Sequence, residues 1–175
     1  MVPKKRSKGK LDSSIIKVVL IFFLVYGSLS YLYQRAHNTW FESLIIDTVT
    51  VKPSAFIINI INPDENVLPI EHRLVSSDVR LSVLNGCEGT EMLFLIIAAI
   101  LAYRSSWKHK AHGLILGIML VYLANQVRIV SLYFSLNYQR EWFAALHGFI
   151  GPTIIIAIGC LFYLWWSKWP DQLRT

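Results

Sequence analysis

Apolar residues along this chain gather into four stretches, separated by mixed and polar ones. Residues 15–33 are apolar apart from Lys17 and a few small or hydroxyl residues, long enough to cross a bilayer as a first helix. A cleaved secretory signal competes with that reading, because Ser28 and Ser30 resemble small-residue cleavage positions. Apolar and aromatic residues continue through Tyr31, Leu32 and Tyr33, beyond an ordinary signal core, and this favours a retained helix. Residues 92–103 are a strongly apolar core that extends to a second span over 90–107, with Arg104 snorkelling. Residues 113–134 and 149–166 supply the third and fourth spans, and Trp165 and Trp166 suit an interfacial belt.

The segment 34–89 alternates in character. Trp40, Phe41, Leu44, Ile45 and Ile46 have helical spacing and are expected to lie along the membrane interface. Residues 56–61 are apolar, but Asn59 breaks them and Asn62-Pro63 stops them, so they predict a second short interfacial or buried helix. Leu74-Val75, a turn at Ser76-Ser77-Asp78 and residues 79–84 predict a small β-hairpin, with Val79, Leu81 and Val83 alternating against Arg80 and Ser82. The expected fold is therefore an all-α polytopic membrane protein, with about four transmembrane helices, extracytoplasmic interfacial helices and one hairpin. A basic, disordered tail over residues 1–14 precedes it, and 175 residues suffice for a single membrane domain.

Composition supports this class, since 54% of residues are hydrophobic. The formal charge of +6 does not point to nucleic acid, because the basic residues collect at the ends of the apolar stretches. Lys4, Lys5, Arg6, Lys8, Lys10 and Lys17 flank the first span, Arg104, Lys108 and Lys110 follow the second, and Lys168 and Arg174 close the chain. The alternate segments, longer in total, carry only Arg35, Lys52, Arg73, Arg80 and Arg140. The positive-inside rule then places both termini in the cytoplasm and residues 34–90 and 135–148 outside a cell membrane.

With that orientation, three reactive side chains far apart in sequence fall at one face. Cys87 precedes the second span, His147 introduces the fourth, and Arg128 lies ~9 Å inside the outer end of the third. A thiol, a guanidinium and an imidazole together can run cysteine acyl transfer: nucleophile, oxyanion donor and acid–base group. Each has a plainer reading as well. Arg128 could snorkel to the headgroups, but Asn125 lies one turn below it, and a shared Asn–Arg face argues for a polar pocket. Cys87 could be an ordinary thiol; its place in Asn85-Gly86-Cys87-Glu88-Gly89, just before a helix N-terminus, favours thiolate character, which Glu88 and Glu91 oppose. His147 could be merely interfacial, and Gly148, Gly151 and Pro152 could simply shape a helix entry. His109 and His112 are expected to be solvated loop residues. Cys160 lies mid-span, where an inert packing role is the default. There is no CxxC motif and neither cysteine has metal-ligand neighbours, so no metal or other cofactor is expected.

These pieces resemble the exosortase and archaeosortase family of polytopic membrane cysteine transpeptidases. The resemblance rests on Asn85-Gly86-Cys87-Glu88-Gly89 before one span, Asn125-Gln126-Val127-Arg128-Ile129-Val130 in the next, and residues 143–147 before the last. It covers roughly residues 75–166, and residues 125–132 look most like the short exosortase H type, here a minimal version with fewer spans. It implies a nucleophile at Cys87, with Arg128 and His147 completing the catalytic group. It also implies a substrate: secreted proteins ending in a short motif, a transmembrane helix and a basic cluster, cleaved at the outer membrane face through a thioacyl enzyme. Partners would then be those proteins and membrane lipid. A competing reading is a non-catalytic membrane subunit for transport or polysaccharide assembly, in which Arg128 binds an anionic group. A membrane thiol oxidoreductase is disfavoured because Cys160 offers no approachable partner thiol.

Overall fold

The computed structural model describes residues 13–84 and 86–169. Most of the basic amino-terminal tail, Asn85 and the last six residues lie outside the described residues. Five continuous helical rods carry the chain: α1 (Ser13–Arg35), α2 (Trp40–Ile61), α3 (Thr90–Ala102), α4 (Trp107–Tyr138) and α5 (Arg140–Lys168). A three-stranded antiparallel sheet lies between α2 and α3, made of β1 (Leu68–Ile70), β2 (Arg73–Val75) and β3 (Arg80–Ser82) in that spatial order.

The expected hairpin is β2–β3. Leu74 stands opposite Leu81 and both are buried, while Arg73, Ser82 and Arg80 face outward, so the period-two pattern sets the register. The third strand, β1, is three residues long and carries Pro69, which an edge strand tolerates because one side of its ladder is unpaired.

Helix α2 differs from the expectation of two short helices. Asp47, Thr48 and Thr50 interrupt the apolar pattern, yet the backbone runs through them as a π-helical segment, Leu44–Val51. Thr50 Oγ1 donates to the Ile45 carbonyl (2.9 Å), five residues back, and the Lys52 N–H bonds to Asp47 O over the same interval. Pro53 follows at once. Its ring would crowd the Val49 carbonyl and it supplies no N–H to it, so a wider turn relieves the clash, and Tyr122 Oη donates to Val49 O instead (3.0 Å).

Among the described residues, four helices are long and apolar enough to cross a membrane: α1, α2, α4 and α5. Packing groups them differently. The short α3 sits against α1, α4 and α5, around a core that includes Ile96, Ile100, Val121, Ile155, Phe162 and Trp166. Close approach of α4 to α5 depends on missing side chains, since a Cβ at Gly113 would come within 2.5 Å of the Trp166 ring and one at Gly117 within 2.8 Å of Phe162. At this end Trp166 Nε1 donates to His109 O, Tyr103 Oη to Ser167 O and Lys110 Nζ to Leu101 O. His109 is not the solvated loop residue expected: Ser106 caps a helix that already begins at Trp107, and the His109 ring stacks on Trp166 at 4.6 Å. Cys160 does not pack inward but lies exposed on the outer surface of α5.

The other group is a cap. Helix α2 and the sheet pack on the C-terminal half of α4 around Ile58, Val67, Leu74, Ile129 and Tyr133. Buried Ser54 donates to Gln126 (2.7 Å), and the connection after α2 is held by Glu65, whose carboxylate accepts from Tyr133 (2.6 Å), Tyr138 (2.6 Å) and Asn137 (2.8 Å). Burial pushes the Glu65 carboxyl up, but these donors and Asn62 outweigh it and hold it below its ordinary value. Bundle and cap meet at the level of Cys87.

Candidate active site

Cys87 sits in a loop bent at both flanks by glycines in the left-handed region, Gly86 (φ 90°) and Gly89 (φ 83°). The Cys87 N–H bonds to Leu84 O (2.9 Å), and Asn125 Nδ2 of α4 donates to the Cys87 carbonyl (3.1 Å). Gly89 is required twice over, because a Cβ there would lie 2.8 Å from Asn125 Cγ. Asn125 therefore fixes the backbone of the thiol-bearing residue, and it can do so only because residue 89 has no side chain.

Arg128, one turn beyond Asn125, brings its guanidinium charge to bear on the Cys87 sulfur. Gly151 of α5 makes room, since a Cβ there would meet the Leu146 carbonyl at 2.7 Å and approach Arg128 Nε to 3.1 Å and Cδ to 3.2 Å. His147 reaches the sulfur from the third side, with Nδ1 3.9 Å from Sγ. Its ring lies parallel to Phe143 with centroids 5.6 Å apart. A second π-helical segment, Leu146–Ile150, carries this histidine; Gly151 N–H bonds to Leu146 O five residues back, and Pro152 again follows directly. The same local device that widens α2 thus sets the helical phase at which His147 is presented.

The three expected residues therefore meet. Burial pushes the Cys87 thiol up from its ordinary value; the Arg128 charge pulls it down, the Glu88 charge pushes it up, and the balance is upward. The resting sulfur is a protonated thiol near neutral pH, so its activation needs a base.

Glu88 is buried, and its Oε1 accepts from Tyr33 Oη of α1 (2.9 Å) and from Thr90 Oγ1 (2.8 Å). Glu91 is exposed on the first turn of α3. Hydropathy reads Tyr33 only as a continuation of the apolar run; its phenol is the signal that marks it, a hydroxyl at the end of a span bonded to a buried carboxylate. In sequence Gly151 reads only as a helix-entry residue. On the Cys87 loop and the adjoining turn of α4, four buried polar atoms have no partner among the described residues: Glu88 Oε2, Asn125 Oδ1, Gln126 Nε2 and Arg128 Nε. Each such atom costs roughly 1–3 kcal/mol, so this polarity is not explained by stability. Beside Arg128, between α4 and α5, opens an apolar crevice of ≈ 90 Å³. Among the described residues no group of three or more His, Cys, Asp or Glu side chains stands together to hold a metal ion.

Apolar rods of this length around one another define a multi-pass membrane protein. The family model of the transmembrane exosortases (Exosortase_EpsH) matches residues 16–166, essentially from the start of α1 to the end of α5, and the chain belongs to that family. Searches of curated proteins and of solved structures find no match.

Proposed function

We propose that this protein is a membrane-embedded cysteine protease and transpeptidase that cleaves C-terminal sorting signals of secreted proteins. The observation that carries the reading is the Cys87 Sγ to His147 Nδ1 approach of 3.9 Å, with the Arg128 guanidinium on the same sulfur. His147 Nδ1 takes the thiol proton as Sγ attacks the scissile carbonyl, and the contact tightens when substrate closes the site. The Arg128 guanidinium, already at the sulfur, receives the oxyanion of the tetrahedral intermediate. Collapse breaks the C–N bond, the His147 proton leaves with the amine, and the thioester remains on Cys87. An acceptor nucleophile, deprotonated by His147, then displaces Sγ and restores the thiol.

The Lys and Arg distribution supports a cell-membrane orientation with both termini cytoplasmic and Cys87 at the extracytoplasmic face. From Trp107 to the level of Asn125, α4 rises ~27 Å, close to the hydrocarbon thickness of about 30 Å. The cap then lies above the outer leaflet, and α3, about 20 Å long and sheltered by three neighbours, completes its crossing with the residues that follow it. In cells carrying a secreted reporter with a transmembrane helix and basic cluster at its C-terminus, Cys87→Ala is expected to abolish release of that tail. Cys87→Ser should do nearly the same, because a hydroxyl is a far weaker nucleophile at neutral pH. Normal processing by Cys87→Ala, read by mass spectrometry of the reporter's C-terminus, overturns the mechanism.

A further inference from the structure

The crevice between α4 and α5 is bounded by Ala124, Arg128, Leu146, Gly151, Ile154 and Ile155. Its walls are aliphatic apart from Ser131, and its single charged group is Arg128, whose buried Nε has no hydrogen-bond partner among the described residues. The same guanidinium acts on the Cys87 sulfur through its charge, so one side chain borders both the nucleophile and the crevice. Gly151 keeps that passage open, because any Cβ there would press on Arg128 Nε and Cδ.

Resting on the reading of Cys87 as nucleophile, we propose that this crevice is the specificity slot for the substrate residue that becomes acylated, and that it accepts a small aliphatic side chain. A carbonyl held against Sγ and Arg128 belongs to a residue whose Cα is one bond away. Its side chain then falls beside the arginine, where the slot begins. The unpartnered Arg128 Nε gains an acceptor from that peptide, and the aliphatic walls gain a hydrocarbon group. Volume sets the size limit. The ≈ 90 Å³ available exceeds the roughly 10–15 Å³ that one water needs and falls below the roughly 150 Å³ cavity that admits benzene. Alanine and valine side chains fit such a space; an aromatic ring does not.

The test uses acetyl-aminoacyl chloromethyl ketones of Ala, Val, Leu, Phe and Trp on the full-length protein in lipid nanodiscs. Cys160→Ala removes the second thiol. Thiolate attack displaces chloride and leaves a thioether on Cys87, counted by intact-protein mass spectrometry. Each rate is divided by the same variant's iodoacetamide rate and by the reagent's rate with free cysteine, so general reactivity cancels. Val and Ala reagents are expected to label at least about tenfold faster than Phe and Trp. Ile154→Ala should raise the Phe rate by about tenfold, and Ala124→Phe should depress the Val rate by a similar factor. A normalised series that is flat, or one that neither substitution moves, overturns the slot. That outcome, alongside processing that still depends on Cys87, leaves the catalytic reading standing; processing by Cys87→Ala sinks the catalytic reading itself.

Discussion

Arg128→Gln separates the arginine's charge from its bulk and asks whether it acts on the sulfur. In the structure three influences set the Cys87 thiol: burial raises it, Arg128 lowers it through its charge, and Glu88 raises it. An opposite charge at contact range typically lowers a pKa by roughly 1–3 units. Cys87 is only half-buried and water screens the pair, so the lower end applies, about one unit. Removing the charge should therefore move the midpoint of the iodoacetamide rate against pH upward by about one unit. The rate at pH 7.5 does not fall the full tenfold, because a more basic thiolate is also more nucleophilic, with a Brønsted slope of about 0.4–0.5. The two effects combine to a loss of roughly three- to fourfold at pH 7.5 and a gain of about threefold on the alkaline plateau. Glu88→Gln should move the midpoint the other way. The assay is alkylation of the Cys160→Ala protein from pH 6 to 12, read by mass spectrometry. A midpoint that stays within about 0.3 units of the parent, or moves down, refutes the coupling and with it the role of Arg128 at the sulfur.

Three further outcomes are expected. Gly113→Ala should destabilise the bundle by about 1–3 kcal/mol, because its Cβ meets the rigid, fully buried Trp166 ring, whereas Gly159→Ala meets only the flexible end of Met92 and should cost less; unfolding in mixed micelles ranks the two. Glu65 has its folded-state pKa lowered, so its contribution is present above the ordinary carboxylate range and is lost as pH falls through about 4.5 and below. Hydrogen exchange in residues 62–84 should rise over that window, less so in Glu65→Gln. An impermeant maleimide should label Cys87 in intact cells and leave Lys108→Cys unlabelled until the membrane is opened; the reverse pattern would invert the orientation and remove the site from the outer face.

Much of the site was legible because its chemistry is expensive. An arginine inside an apolar span has to be solvated by protein, and Asn125 one turn away named the face on which that happens. Gly86 and Gly89 around a cysteine announced a turn, and the Leu74–Leu81 pair was written in alternating residues. Two features that hydropathy does not reveal share one cause. At Leu44–Val51 and Leu146–Ile150 a proline just downstream widens the helix by one residue per turn, and a hydropathy pattern read at 3.6 residues per turn cannot register that change. In the first, the pattern reads as a break between two helices. The second hid how His147 is turned toward the sulfur.

By itself, the sequence determined that this chain crosses a membrane and which ends of its spans lie together. Burial of apolar runs and the cost of buried charge are local properties, written residue by residue. Only the tertiary structure decided the contacts made across the fold: Tyr33 of α1 on Glu88, Gly89 yielding to Asn125, and Gly151 yielding to Arg128. These depend on how close two segments come, and that distance is set jointly by what each surface presents, a glycine on one side against a long side chain on the other. No single stretch of sequence contains that information.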